Sequence, residues 1–320
     1  MLTSAERPSV VSKPGPSLML MAVWSVFVIV ALLSLGVSSP VVYPSVVIGS
    51  AVIVFVALGR RVRAAGIVPA RWHVDPLDLV VVAGLFIACV GLFKLAFGVF
   101  GVDSVAGLFL SFGTGLTLGV AVPIMYTALV RRRPLSAIGI GLHNWKPTVA
   151  LGLVFAATQF GLTLWGYELP RPVDWVPLLV MSLTVGIFES IFFRGFVQGV
   201  FEDSFGVGPS VLGGAVLYGL YHLGYGMEIS EIGFLVGLGG TYAVAYRITK
   251  NVLILWPLFT PVGGFFNMLE SGDIEMPWIA ILGFLDVLGL MVGAYVLTRK
   301  IDKKRRARQM VPTARIPQVA

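Results

Sequence analysis

Apolar runs of about 18–25 residues recur along almost the whole chain, and no other feature limits its fold so strongly. A helix needs about 20 residues to cross the hydrocarbon core of a bilayer. Of the 320 residues, 57% are hydrophobic and only 12% are charged, and the mean hydropathy is +0.91. A soluble domain of this length does not tolerate so much apolar surface. The runs lack the two-residue alternation of barrel strands, and lipid leaves no backbone polar group unpaired, so the spans are expected to be helices. The 38 glycines suit helices that pack closely in a membrane. The chain reads as an all-α, polytopic membrane protein of about ten transmembrane helices. These run roughly over 18–37, 41–58, 78–101, 105–130, 148–167, 175–200, 208–226, 231–247, 252–269 and 278–298. The first is too long for a signal-peptide core and lacks a small-residue cleavage site, so it reads as a retained anchor.

Charge supports this count. With the amino terminus in the cytoplasm, every one of the 23 basic residues except Lys94, Arg171 and Arg194 falls in an inside segment. The outside loops carry Asp103, Glu168, Asp174, Glu228, Glu231, Glu270, Asp273 and Glu275. Positive charge on the cytoplasmic side is the usual topology signal, so both termini are expected inside, in a multi-pass protein of the plasma (inner) membrane. The same signal accounts for most of the net charge of +7. No nucleic-acid partner is needed to explain it, and the basic tail would lie against anionic headgroups of the lipid bilayer. One cysteine, Cys89, lies inside a span, which leaves neither a disulfide framework nor a cysteine metal cluster.

Residues 1–17, rich in proline and serine, read as a disordered cytoplasmic lead, and 301–320 as a basic cytoplasmic tail. The spans of 18–170 carry few polar groups that could do chemistry and read as scaffold. Those of 171–300 carry most of them and read as the core that holds the site.

Within that core, Glu189 to Gly195 reads Glu-Ser-Ile-Phe-Phe-Arg-Gly. A carboxylate or guanidinium costs about 2.5–3.5 kcal/mol at the centre of a spanning helix on insertion scales. Such groups are kept where they pair, face water or react. Entered from outside, the sixth span reaches Glu189 after about 21 Å of rise, and Arg194 is about 140° further around an α-helix. The two therefore make no same-face pair, and each needs partners on neighbouring helices. One reading is a structural ion pair between helices. The other is a carboxylate beside a water-filled cavity, acting as general base.

His222 is the one histidine placed in a span, His73 and His143 being in loops. It follows the Glu189 helix by one short connection, although the span edges put it nearer the outer face. The ninth span holds Thr260-Pro-Val-Gly-Gly-Phe-Phe-Asn267. Asn267 is an amide able to donate to an oxyanion or to bridge helices. Lys94 and Asp286 lie at similar depth and suit a salt bridge. A catalytic zinc commonly takes three protein ligands. If a metal is present, His222 and Glu189 would hold it, but they are too few, so none is expected.

At these residues the chain resembles the CPBP family, the CAAX proteases and bacteriocin-processing (Abi-type) membrane enzymes. The family's first motif, E-E-x-x-x-R followed by glycine, is matched by Glu189, Ser190, Arg194 and Gly195. The second, F-x-x-x-H, is matched by Tyr218 and His222. The third, H-x-x-x-N, is matched by Gly263 and Asn267. The glycine-rich 233–240 and Thr249-Lys-Asn251 also resemble the family's connecting text. The likeness covers roughly 175–270.

The resemblance implies an intramembrane endopeptidase that acts on a membrane-associated, CAAX-like or bacteriocin-type peptide or protein. It implies that Glu189 activates the attacking water, that His222 assists or stabilises the oxyanion, and that Asn267 donates to it. Arg194 would orient the acidic end of the first motif. A divalent metal is compatible with the family, although the ligands here are too few. Ser190 replaces the second glutamate and Gly263 the third-motif histidine. These departures leave a catalytically inactive scaffold or immunity protein as an alternative reading. The helix count leaves a ten-helix secondary transporter as a second.

Overall fold

A computed structural model describes residues 74–101, 104–143, 145–163, 171–172 and 175–270, with isolated positions beyond. The expected spans at 18–37 and 41–58, nearly all of 278–298, and both terminal segments fall outside the described residues, as does Asp286. Every regular element described is helical.

Helix α1 spans Pro76–Leu95 and ends in a π turn, Ala96–Phe100. Asp75 caps it by accepting the Leu77 N–H at 3.0 Å. Pro76, which has no N–H to leave unpaired, fills its first position. Helix α2 starts at Val105, where Ser104 Oγ accepts the Gly107 N–H at 2.9 Å, and runs on to Val130 through π stretches at Thr114–Ala121 and Tyr126–Val130. Helix α3 is Trp145–Thr163. Helix α4 comprises Trp175–Glu189, a π segment Ser190–Val197, and Gln198–Phe205. Helix α5 is Val207–Tyr221, continued by a 3-10 turn His222–Tyr225. Helix α6, Ile229–Thr249, opens on a capping box between Glu228 and Glu231. Helix α7 is Phe259–Glu270.

Three of these helical stretches are long and apolar enough to cross a membrane: Pro76–Phe100, Val105–Val130 and Leu178–Phe205. They match the third, fourth and sixth expected spans. The expected 252–269 differs. Its first residues form a 3-10 turn, Val252–Ile254, and the helix begins only at Phe259, because Pro257 can neither donate a backbone hydrogen bond nor continue a helix.

Helix α4 is the axis of the described bundle. Of its most apolar window 72% is buried, against 22% for α1. Helix α7 packs on α4 and α3, α6 on α5, and α1 on the turn after α5. Two glycines set the approach of neighbours to α4. The Phe188 ring occupies the space that a Cβ on Gly119 would fill, with ring Cδ2 only 2.1 Å from it. A Cβ on Gly195 would lie 2.4 Å from the Ile138 carbonyl oxygen, so the glycine of the Phe-Arg-Gly triplet is there for a backbone contact.

The segments expected in the cytoplasm come together at one end of the bundle. Arg131 pairs with Asp75 and Asp78, each at 2.5 Å, and Tyr126 donates to Asp78 at 2.7 Å. Arg133 pairs with Asp203. Glu202 takes Arg247 at 3.2 Å and Lys250 at 2.6 Å. Beneath these ion pairs Asn251 is fully buried. Its Nδ2 donates to the carbonyls of Gly141 at 3.1 Å and His143 at 2.7 Å, and its Oδ1 accepts the Leu253 N–H at 3.0 Å. This amide ties the α2–α3 connection to the α6–α7 connection.

Asn251→Ala leaves two carbonyls and an N–H without their partner, so we expect it to cost about 2–4 kcal/mol. Arg133→Ala, which breaks an exposed pair, should cost under about 1 kcal/mol. Thermal unfolding in detergent separates the two. The Arg131 guanidinium holds the Asp75 carboxyl below its ordinary value of 3.8. That contribution is fully present above the ordinary value and is lost as pH falls through the lowered one. The wild type should therefore lose more stability than Asp75→Asn on acidification below about pH 4, read from melting temperatures of both across pH.

Candidate functional site

Glu189 and Tyr221 stand almost equally far along the chain from Gly206, the residue at which α4 gives way to the antiparallel α5. That spacing brings the two to one level. The Tyr221 hydroxyl donates to Glu189 Oε1, and both residues are buried, the glutamate at 5% exposure. The end of α5 thus carries the Tyr221 hydroxyl to the carboxyl. His222, next in the chain, opens the 3-10 turn. Its Nδ1 lies 2.8 Å from the Tyr218 carbonyl oxygen. A carbonyl can only accept, so Nδ1 carries the proton, and in a neutral ring Nε2 is left as an acceptor.

The chain from Ser190 to Val197 is a π-helix rather than the α-helix assumed from sequence. Its i→i+5 hydrogen bonds bring residues five apart roughly into line, so the 140° separation expected between Glu189 and Arg194 does not hold. They still form no ion pair within 4 Å. Arg194, 1% exposed, lies instead with its guanidinium carbon 5.0 Å from the Tyr218 ring centroid. Among the described residues its Nη1 and Nη2 have no hydrogen-bond partner. The structural ion pair considered from sequence is replaced by a cation over an aromatic face.

Ser190, which stands in the place of the second glutamate, donates to the Gly186 carbonyl at 2.7 Å and lies 3.3 Å from Thr260 Oγ1. Thr260 also donates to the Gly186 carbonyl, at 3.2 Å. The serine thus bolts the start of α7 to α4 beside Glu189. Gly263 lies on α7 one turn before Asn267. The Asn267 side chain falls outside the described residues, so its expected role as a donor is carried into the proposal below.

Three residues of this layer carry no motif signal. Tyr221 is hidden in the sequence as one more aromatic beside His222. Gln159 of α3, in the half read as scaffold, donates through Nε2 to the Tyr242 hydroxyl at 3.0 Å. The Tyr242 hydroxyl lies 3.2 Å from Gln159 Oε1. Their separation of 83 positions along the chain puts this pairing beyond any local pattern. Around the polar groups, Phe93, Phe188, Phe193, Tyr218, Tyr221 and Tyr225 form an aromatic layer with ring centroids about 5–6 Å apart.

For a metal, Glu189 and His222 are the ligand-type groups at this level. No third histidine, cysteine, aspartate or glutamate joins them among the described residues. This donor set does not fit a three-ligand catalytic zinc, and the chemistry proposed below runs through protein groups.

The molecule is thus a helical protein with apolar helices of membrane-spanning length and a buried carboxyl, imidazole and guanidinium gathered in its centre. Residues 171–259 match the family model of the type II CAAX prenyl endopeptidase Rce1-like proteins. The match supports the CPBP/CAAX protease family, whose members are intramembrane endopeptidases, and it spans the first two motifs, stopping at the start of α7. No curated protein and no solved structure matched the chain.

Tyr221→Phe keeps the ring and removes the donor to a buried carboxyl. We expect a loss of about 1–3 kcal/mol with the helical content unchanged, measured by circular dichroism and thermal unfolding in detergent.

Proposed function

We propose that this protein is a CPBP-type intramembrane endopeptidase, in which Glu189 activates water to hydrolyse a peptide bond of a membrane-associated substrate. The observation that carries this reading is a buried carboxyl held by Tyr221, whose ring packs against His222, inside the segment that matches the endopeptidase family. In lipid a lone carboxyl is an expense that packing does not need, and an aromatic layer around it keeps bulk water away from the reacting atoms.

The reaction needs a base, a place for negative charge and a proton donor for the leaving nitrogen. The Glu189 carboxylate takes a proton from water as its oxygen attacks the peptide carbonyl carbon. The carbonyl oxygen becomes an oxyanion, and Asn267 donates to it. His222, aligned by its Nδ1–H bond to the Tyr218 carbonyl, presents Nε2 to the same water. The proton returns from Glu189 to the leaving nitrogen, the C–N bond breaks, and a carboxylic acid and an amine are released, the acid then passing its proton to the amine to give carboxylate and ammonium. Arg194, over the Tyr218 ring, is a positioning residue. Its positive charge and its packing set the Tyr218–Tyr221 edge that faces Glu189.

The substrate class is a peptide or protein tethered to the bilayer, CAAX-like or of bacteriocin type. The enzyme would work in the plasma membrane with both ends in the cytoplasm, so that the ionic end of the bundle faces inward. One observation favours the inactive scaffold instead: the first and third motifs are altered at Ser190 and Gly263, and Ser190 is consumed in bonds to α4 and α7.

Purified protein in liposomes, given membrane-tethered peptides with varied carboxyl-terminal sequences, should cleave a subset of them. Glu189→Gln should lower the rate by about 10²–10⁴, the span of general-base contributions, without altering the melting temperature by more than a few degrees. Equal cleavage by both proteins overturns the mechanism.

A further inference from the structure

Some close-packed glycines in this bundle meet backbone. A Cβ on Gly152 or Gly195 would meet a carbonyl oxygen of a neighbouring turn at 2.7 or 2.4 Å, and one on Gly119 or Gly213 would meet a phenylalanine ring. Gly263 differs. Among the described residues, and apart from its own helix's backbone, two atoms lie within 4 Å of where its Cβ would be, and both are polar side-chain atoms: Gln159 Nε2 and the Tyr242 hydroxyl oxygen, each at 2.9 Å. Among the described residues, the absence of a side chain at 263 therefore serves no backbone contact from a neighbouring element. It makes room for an amide and a phenol, delivered from α3 and α6, at the point to which a side chain on α7 would reach.

This pair is buried, with Gln159 at 8% and Tyr242 at 1% exposure, and it is joined to the Glu189 layer. The Tyr242 ring stands edge-on to Tyr218 at 5.9 Å and to Phe259 at 4.8 Å. Tyr218 in turn meets Tyr221, the donor to Glu189, at 5.5 Å. On the other side, Thr260, one turn before Gly263 on α7, is tied to Ser190. Asn267, one turn after it, shares the Gly263 face of the helix. An amide carries two N–H donors and a phenol one, and neither changes charge near neutral pH.

We infer that the Gln159–Tyr242 pair is a hydrogen-bond donor of the active site, serving the substrate carbonyl oxygen from the direction of position 263 alongside Asn267. This rests on the endopeptidase reading. It assigns a catalytic contribution to a helix of the amino-terminal half, and it makes the glycine at 263 a working feature of the site. Hydrolysis proceeds as above, with no added reactant: the donor stabilises the oxyanion by a hydrogen bond while it exists and keeps its own proton.

The test measures kcat and KM for a cleaved membrane-tethered peptide. Gln159→Met keeps the length and removes the amide, and Tyr242→Phe keeps the ring packing and removes the hydroxyl. A donor to the oxyanion predicts a fall in kcat of about 10²–10³ for Gln159→Met and a smaller fall for Tyr242→Phe, with KM changed by less than about threefold. In Q159A/G263H the vacated space admits an imidazole. Activity should then recover at least tenfold over Gln159→Ala and acquire a pH limb near the ordinary histidine range of about 6–7, absent from the wild type. A pair that only clamps α3 to α6 would instead lower the melting temperature and leave kcat of the folded protein at the wild-type value, with no new limb in Q159A/G263H. That result overturns the inference while Glu189→Gln stays inactive and the endopeptidase reading stands. Should Gln159→Met fail to fold, an unchanged kcat in Tyr242→Phe has the same force. Cleavage equal in wild type and Glu189→Gln removes the endopeptidase reading, and this inference with it.

Discussion

The hydrogen bond from Tyr221 to Glu189 is the interaction on which the centre of this molecule depends. A carboxyl inside an apolar bundle must be satisfied by the protein itself, because lipid offers no donor. The partner comes from α5, and meeting it fixes the level at which α4 and α5 lie against one another. With that level set, His222 packs against Tyr221, Tyr218 stands over Arg194, and the aromatic rings that remain close around them. The π segment after Glu189 belongs to the same arrangement. It turns the first motif so that Phe192, Phe193 and Arg194 are all buried while Gly195 touches the Ile138 carbonyl.

Two kinds of polar contact hold the rest. At one end of the bundle, ion pairs at partly exposed positions add little each, and the buried Asn251 amide does more by joining two connections. Within the bundle, Ser190 and Thr260 share the Gly186 carbonyl and anchor α7 to α4. The residues that depart from the family pattern are thus built into this packing. Ser190 works as a helix-to-helix fastener, and Gly263 as a space for the Gln159–Tyr242 pair.

Much of this was legible in the chain because membrane helices announce themselves by composition and length. The apolar runs at 78–101, 105–130 and 175–200 reappear as α1, α2 and α4, since about 20 apolar residues can satisfy their backbone in lipid only as helix. Glu189, Arg194 and His222 stood out for their cost in such runs. The π geometry did not, because i→i+5 bonding follows from packing around α4 and leaves no periodic trace over eight residues. Nor did Tyr221, one aromatic among many. The late start of α7 was foreshadowed by Pro257, although the apolar run continues across it and reads as unbroken span.

The sequence by itself determined an all-helical membrane protein, the segment that carries its chemistry, and the family that this segment resembles. These depend on residue type and spacing along one helix, which are local properties. Only the tertiary structure decided that Arg194 faces a tyrosine ring instead of the glutamate, that Tyr221 holds Glu189, and that Gln159 reaches Tyr242 across 83 residues. Those choices rest on which helices touch and at what height. In a bundle where every helix offers an apolar face to several neighbours, the hydrogen bonds that buried polar groups require are what select among the packings.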